Sequence, residues 1–194
     1  MNYEGAKKYA ISRLENELPT SLHYHNVYHT YDVLNSINMY ANFENISGEN
    51  LILLLTAGCF HDLGFVEIYF GHEIVGARIA REVLPSYDYS DEQIEKICGM
   101  ILATQITVEP KNMLEKVMCD SDLDYLGRED FNIRAQTLKI EFYERNIIKD
   151  EKGWEEKQLF FMQKHKFYTS TAKKLRNKNK KYFMNELKIL FEKY

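Results

Sequence analysis

The sequence predicts an all-α fold, and three observations support this prediction. Only 3 prolines and 9 glycines occur among the 194 residues, so few positions interrupt a helix. Apolar residues recur at the spacing of one helix face, and no segment alternates apolar and polar residues as a half-buried strand does. With 45% hydrophobic and 28% charged residues, the chain has the composition of a globular protein that can bury its own core.

Helices can be assigned in order along the chain. A first helix is predicted over residues 2–17 and a second over 24–43. Residues 49–62 are apolar nearly all round, which indicates a central buried helix. Further helices are predicted at 71–84, at 90–104 behind a Ser90–Gln93 capping box, from about 112 to an interruption at Gly127, and at 129–148, 153–176 and 179–192. We expect a single domain over 1–194, with a core at about 24–127 on which the helices of 129–194 pack.

Composition also excludes several classes of protein. The three cysteines are odd in number and form no CxxC pair, so neither a zinc ribbon nor a disulfide framework is indicated. The N-terminal segment is charged throughout, unlike a secretory signal. The apolar run Leu51–Phe60 is far shorter than the roughly 20 residues of a membrane span. We therefore expect a cytoplasmic protein with no membrane partner.

Charge is distributed unevenly along the chain, although the net charge is only −4. Residues 161–194 carry ten Lys or Arg against two Asp or Glu, whereas the remaining residues carry 15 against 27. This basic segment is either a solvated helix face or a patch that steers an anionic substrate or nucleic acid. The acidic remainder and the lack of a binding motif argue against nucleic acid as a partner.

Histidines and aspartates stand where they could form one site. His25 and His29 are four residues apart in a helical segment, so their side chains share a face and could converge on one ion or substrate. The pair His61-Asp62 ends the most apolar helix, where titratable groups are costly unless they are paired or bind metal. Three aspartates in the segment MCDSDLDYLG would repel one another on a half-buried helix, and a cation would relieve that repulsion.

Taken together, these segments resemble the HD superfamily of metal-dependent phosphohydrolases. The family's order of metal ligands is His, then His-Asp, then Asp, and it appears here as His29, His61-Asp62 and Asp122. The segment YHNVYHTYDV is similar to one in cyclic-nucleotide phosphodiesterases, a branch of the superfamily. TAGCFHDLG, GHEIVGARIA and SDLDYLG resemble three further elements of HD proteins. The resemblance runs from about Tyr24 to Gly127 and implies an HD-type helical bundle with extra C-terminal helices.

The resemblance implies that His29, His61, Asp62 and Asp122 bind a divalent metal ion. Two imidazoles and two carboxylates suit Mn, Fe, Ni, Zn or Mg. Among Asp120, Asp122 and Asp124, we favour Asp122 because it directly precedes a leucine, as the family's ligand does; Asp120 would then orient a ligand.

Catalytic and substrate-binding residues are implied in the same way. His25 corresponds to the general acid of the phosphodiesterase branch, or else supports a metal ligand, and Asp62 also holds the attacking water. His72 contacts the phosphate or a weak second ion, or is an ordinary residue at a helix start. The candidate substrate contacts are Asn26, which could instead be a helix cap, Arg78, which could simply be solvated, and Thr104. Thr104 and Gln105 replace a histidine pair of many members, which argues against a full second metal site.

The implied activity is hydrolysis of a phosphomonoester or phosphodiester by a metal-activated water. The expected substrate is a small phosphorylated molecule, most simply a nucleotide. A non-catalytic HD module that binds a nucleotide or a protein partner is the alternative. The ligand set is intact in this chain, and we favour the enzyme because degenerate modules tend to lose it.

Overall fold

The computed structural model describes residues 1–191, and within them every regular element is a helix. The all-α prediction is therefore confirmed. The α-helices are α1 (Tyr3–Glu17), α2 (Val27–Phe43), α3 (Gly48–Phe60), α4 (His72–Val83), α5 (Asp91–Ala103), α6 (Met113–Asp122), α7 (Phe131–Glu144), α8 (Glu151–Lys164) and α9 (Ser170–Phe191). Short 3₁₀ helices cover Leu63–Val66, Leu84–Tyr87 and Asp124–Gly127.

The chain divides into two compact units. The first contains Met1–Pro19 and His25–Asp122, and therefore helices α1 to α6. The second contains Thr20–Tyr24 and the chain from Leu123 onward, with helices α7 to α9. The expectation of one domain over 1–194 remains a prediction.

Helix α3 is the central element of the first unit. It packs against α1, α2, α5 and α6, and Leu53, Leu54, Ala57 and Phe60 are completely buried. Burying each large apolar side chain contributes about 1.5–3 kcal/mol. With the turn that follows it, the segment Gly48–Val66 is long and apolar enough to cross a membrane, but its most apolar window is 67% buried inside the protein. This burial is typical of the core helix of a soluble protein.

Helix α2 begins three residues later than the sequence predicts. Asn26 has an extended backbone, with φ −129° and ψ 179°, and its side-chain oxygen accepts hydrogen bonds from the N–H groups of Tyr28 and His29. This is an N-cap, so residues 24–26 precede the helix. The Ser90–Gln93 capping box is present as predicted.

The C-terminal helices break at a different place from the one predicted. The sequence predicts helices at 153–176 and 179–192, whereas α8 ends at Lys164 and α9 runs through residues 177–179 without interruption. The predicted end at 192 lies outside the described residues. The new helix starts where Thr169 Oγ1 accepts a hydrogen bond from Ala172 N at 3.1 Å. A threonine cap without glycine or proline is a weak sequence signal, which explains the error.

All three cysteines are buried as free thiols. The Cys98 thiol donates to Ala77 O at 3.3 Å, and burial raises the pKa of Cys98 to about 11 and that of Cys59 to about 12. Since the thiolate is the reactive form, we expect almost no reaction of the native protein with a thiol reagent such as DTNB. All three thiols should react in guanidinium chloride. Rapid labelling of the native protein would contradict this arrangement.

Candidate metal centre

Three helix ends in the first unit bring two histidines and an aspartate together. His29 lies in the first turn of α2, His61 follows the end of α3, and Asp122 is the last residue of α6. His29 Nε2 is 3.0 Å from Asp122 Oδ1 and 3.4 Å from His61 Nε2, and His61 Nε2 is 3.6 Å from Asp122 Oδ1. One potential ligand atom from each residue lies within 4.8 Å of the others. This group is able to hold a metal ion.

Asp62 faces the same cluster with one of its oxygens. Its Oδ2 is 3.2 Å from His61 Nε2 and 3.5 Å from His29 Nε2, yet it has no well-formed hydrogen bond within residues 1–191. Asp62 is only 5% exposed, and a buried unsatisfied polar atom costs about 1–3 kcal/mol. A cation would satisfy this oxygen, so the residues present fit the divalent metal that the resemblance implies.

A backbone contact orients the imidazole of His61. Its Nδ1 is 2.9 Å from Gly58 O, so the Nδ1–H donates to that carbonyl. The opposite nitrogen, Nε2, is then left facing Asp122 and His29. Metal-binding histidines usually have this kind of support, which fixes the ring and the nitrogen that binds the ion.

The charged groups of the cluster stabilise one another. Burial opposes ionisation of His61, but the adjacent carboxylates of Asp62 and Asp122 outweigh it and raise the pKa of His61 well above its usual value. Burial likewise opposes ionisation of both carboxyl groups, but the neighbouring imidazoles hold the pKa of Asp62 and of Asp122 well below the usual range. Without a metal, a proton on His61 therefore supplies positive charge between two carboxylates, and a binding cation would displace it.

Both predicted catalytic histidines lie beside the cluster. His72, the first residue of α4, has its Nε2 3.4 Å from Asp62 Oδ1. The ring of His25 is centred 6.0 Å from that of His29 and 6.3 Å from that of His72. His25 precedes α2 instead of lying one helical turn from His29 as the sequence predicts, but its ring still comes close to the cluster.

The three aspartates of the acidic segment have different surroundings. Asp122 belongs to the cluster, and Asp120 is fully buried within α6. Asp124 belongs to the second unit and is 2% exposed. There it accepts hydrogen bonds from Arg176 of α9, from Nε at 2.6 Å and from Nη2 at 3.1 Å. A paired, buried carboxylate of this kind has a structural explanation, which leaves Asp122 as the carboxylate that joins the two histidines.

The three predicted substrate contacts are engaged in local interactions. Asn26 caps α2, as its alternative interpretation held. Arg78 is exposed and pairs with Glu67 and Glu82. Thr104 Oγ1 donates to the carbonyl of Ile101 at 2.7 Å. Within residues 1–191, no hydrogen bond or ion pair joins Arg78 or Thr104 to the metal cluster, and their roles in substrate binding remain predictions.

Sequence reasoning missed one contributor to the site's surroundings. Phe65 lies three residues after Asp62, and its ring contacts both His25 and His72. The sequence feature that could have identified Phe65 is its position three residues after Asp62, in the aromatic-rich segment 65–70.

The family of this all-helical, histidine- and aspartate-bearing protein follows from comparison with known families. The model of the HD domain matches residues 26–140, more than half of the chain, and this match includes all four predicted metal ligands. The chain therefore belongs to the HD domain family. No curated protein and no solved structure gives a significant match.

Proposed function

We propose that this protein is a metal-dependent phosphohydrolase that acts on a small phosphorylated molecule, such as a nucleotide. The observation that carries the proposal is the buried cluster of His29, His61 and Asp122, with an unsatisfied oxygen of Asp62 facing it. Membership of the HD domain family supports the same reaction class.

The proposed ligands are His29, His61, Asp62 and Asp122. Their mixed nitrogen and oxygen donors suit Mn, Fe, Ni, Zn or Mg. A divalent ion held by these groups supplies Lewis acidity, which makes water a stronger acid and neutralises charge on a phosphoryl group. The protein contributes surroundings that exclude water, since His29, His61 and Asp62 are all buried, and it fixes the orientation of His61 through the contact with Gly58 O.

The remaining histidines have separate roles in the proposal. His72 Nε2 lies 3.4 Å from Asp62 Oδ1. In the proposal, His72 orients the phosphate and Asp62 orients the attacking water. His25 is half-buried beside His29, where a protonated imidazole can donate its proton to the departing oxygen.

The direct test combines elemental analysis with hydrolysis assays. Purified protein should carry about one divalent ion per chain and should hydrolyse p-nitrophenyl phosphate or bis(p-nitrophenyl) phosphate when supplied with Mn²⁺, Ni²⁺, Zn²⁺ or Mg²⁺. A protein that binds metal and nucleotide but hydrolyses neither these esters nor a nucleotide library would instead be a binding module.

His25→Gln tests the proposed general acid. We expect the variant to keep its metal and to lose activity by about 10²–10⁴-fold on an ester with a poor leaving group, such as phenol, because general acid catalysis contributes that much. The loss should be smaller on the p-nitrophenyl ester, whose leaving group needs less protonation. The measurement is kcat on the two esters.

His23→Gln is the matched control for this variant. His23 lies two residues away but belongs to the second unit, where its Nε2 is 3.0 Å from Glu144. Its replacement should leave both rates near those of the wild type. An equal loss on both esters in His25→Gln would argue against proton donation.

A further inference from the structure

Metal ligation leaves one buried aromatic ring at the site unexplained. Phe65 is 4% exposed and lies in the 3₁₀ helix Leu63–Val66, directly after Asp62. Its ring stacks on His72 with centroids 3.7 Å apart and an angle of 16° between the planes. The same ring lies 4.6 Å from that of His25, at 35°. One side chain therefore contacts both histidines to which the proposed mechanism assigns catalytic roles.

Polar contacts at the edge of the His72 ring leave its tilt undefined. His72 Nδ1 is 3.2 Å from Tyr69 O and 3.6 Å from Glu73 Oε2, and Nε2 is 3.4 Å from Asp62 Oδ1. Contacts at these two nitrogens set the ring's rotation within its own plane, but they allow it to rock about the line that joins the nitrogens. A flat aromatic face at stacking distance removes this freedom. An aliphatic side chain of similar size offers no such face.

Phe65 also lies beside both imidazoles. The centroids of His25 and His72 are 6.3 Å apart, and each ring contacts Phe65 more closely than it contacts the other. Tyr69 extends the aromatic contact, with its ring 5.3 Å from Phe65 and 6.3 Å from His25. Phe65 is therefore the aromatic ring that lies closest to the imidazole of His72, whose Nε2 faces Asp62.

We propose that Phe65 is a positioning residue that fixes the tilt of the His72 imidazole against Asp62. Its effect on rate rests on the function proposed above, whereas its effect on the His72 ring does not. The substitutions that separate these effects are Phe65→Leu, which removes the flat ring, and Phe65→Tyr, which retains it.

The first measurement is spectroscopic and uses metal-free protein. The ring current of Phe65 should shift the carbon-bound ring protons of His72 upfield in NMR spectra, and His72→Gln identifies those signals by their loss. Phe65→Tyr should keep the shift, and Phe65→Leu should abolish it. Unshifted His72 signals in the wild type, or the same signals in Phe65→Leu, would overturn the proposal.

The second measurement is kinetic and uses the Mn²⁺-loaded protein with bis(p-nitrophenyl) phosphate. Misplacing a group that contacts the substrate slows the chemical step. Phe65→Leu, which lets His72 move, should therefore lower kcat by about tenfold with little change in KM. The metal content should be unchanged, because the Phe65 ring contacts His25 and His72, and its backbone N–H, which donates to Asp62 O at 3.1 Å, is kept in the variant. Phe65→Tyr should restore most of the rate.

Phe131→Leu is the matched control. Phe131 is equally buried in the second unit and stacks on Phe183 at 4.6 Å, so its replacement removes a comparable ring from a different core. It should lower stability and leave kcat near that of the wild type. An equal loss of kcat in Phe131→Leu would mean that Phe65 contributes only to general packing. If the wild type hydrolyses no ester while the NMR result holds, the proposed function fails and the positioning role stands.

Discussion

Asp122→Asn should weaken metal binding and lower activity together. The substitution keeps the size of the side chain but removes the negative charge that lies 3.0 Å from His29 Nε2 and 3.6 Å from His61 Nε2. A neutral amide is a poor ligand for a divalent ion next to two imidazoles. We expect metal affinity to fall by about 10²-fold or more, and kcat by about 10³-fold, since the chemistry requires the ion. Elemental analysis and ester hydrolysis measure the two losses.

Asp124→Asn is the matched control because it lies in the same acidic segment but pairs with Arg176. Removing one partner of a buried ion pair costs about 3–5 kcal/mol, so this variant should unfold at a lower urea concentration. The folded fraction should retain its metal. If Asp124→Asn loses the ion and Asp122→Asn keeps it, the choice between the two aspartates is wrong.

The grouping of His29, His61 and Asp122 was predicted from the resemblance to the HD family, because the local pattern marks a helix end only at His61, where an apolar run identifies a buried helix. The sequence placed His29 and Asp122 inside helices, whereas the structure has them in the first turn of α2 and at the end of α6. What selected Asp122 from three aspartates was the resemblance to the family, and the structure adds a physical reason. Asp124 is already neutralised by Arg176, whereas Asp122 faces two imidazoles.

Other features depended on contacts between residues distant in sequence. The stacking of Phe65 on His72 requires helix α4 to fold back onto the turn after Asp62, and no local sequence pattern predicts that packing. The break between α8 and α9 depends on a threonine cap and the burial of Phe167, and residues 177–179, where the sequence predicts a break, are helical instead. Tertiary packing overrode local propensity there.

Gly64→Ala should be among the most damaging single substitutions in the first unit. A Cβ at Gly64 would lie 1.9 Å from the carbonyl oxygen of His72 and 2.9 Å from the backbone nitrogen of Gly76. Gly76 is equally constrained from the other side, since its own Cβ would lie 2.9 Å from Phe60 O. At Gly64 and Gly76 the turn after Asp62 and helix α4 therefore meet through backbone atoms, and backbone cannot move aside as a flexible side chain can.

The added methyl group must therefore displace the start of α4, which carries His72. We expect the free energy of unfolding to fall by about 3 kcal/mol or more, measured by urea denaturation, because overpacking against backbone has few ways to relax. Activity of the remaining folded protein should fall as well, since His72 is drawn away from Asp62.

Gly99→Ala in α5 is the control, because its Cβ would meet only Glu115 Oε1, at 3.4 Å. There the gain in helix propensity, about 1 kcal/mol, should leave the protein as stable as the wild type or more so. Equal stability of the two variants would mean that α4 does not approach the turn as closely as the structure shows.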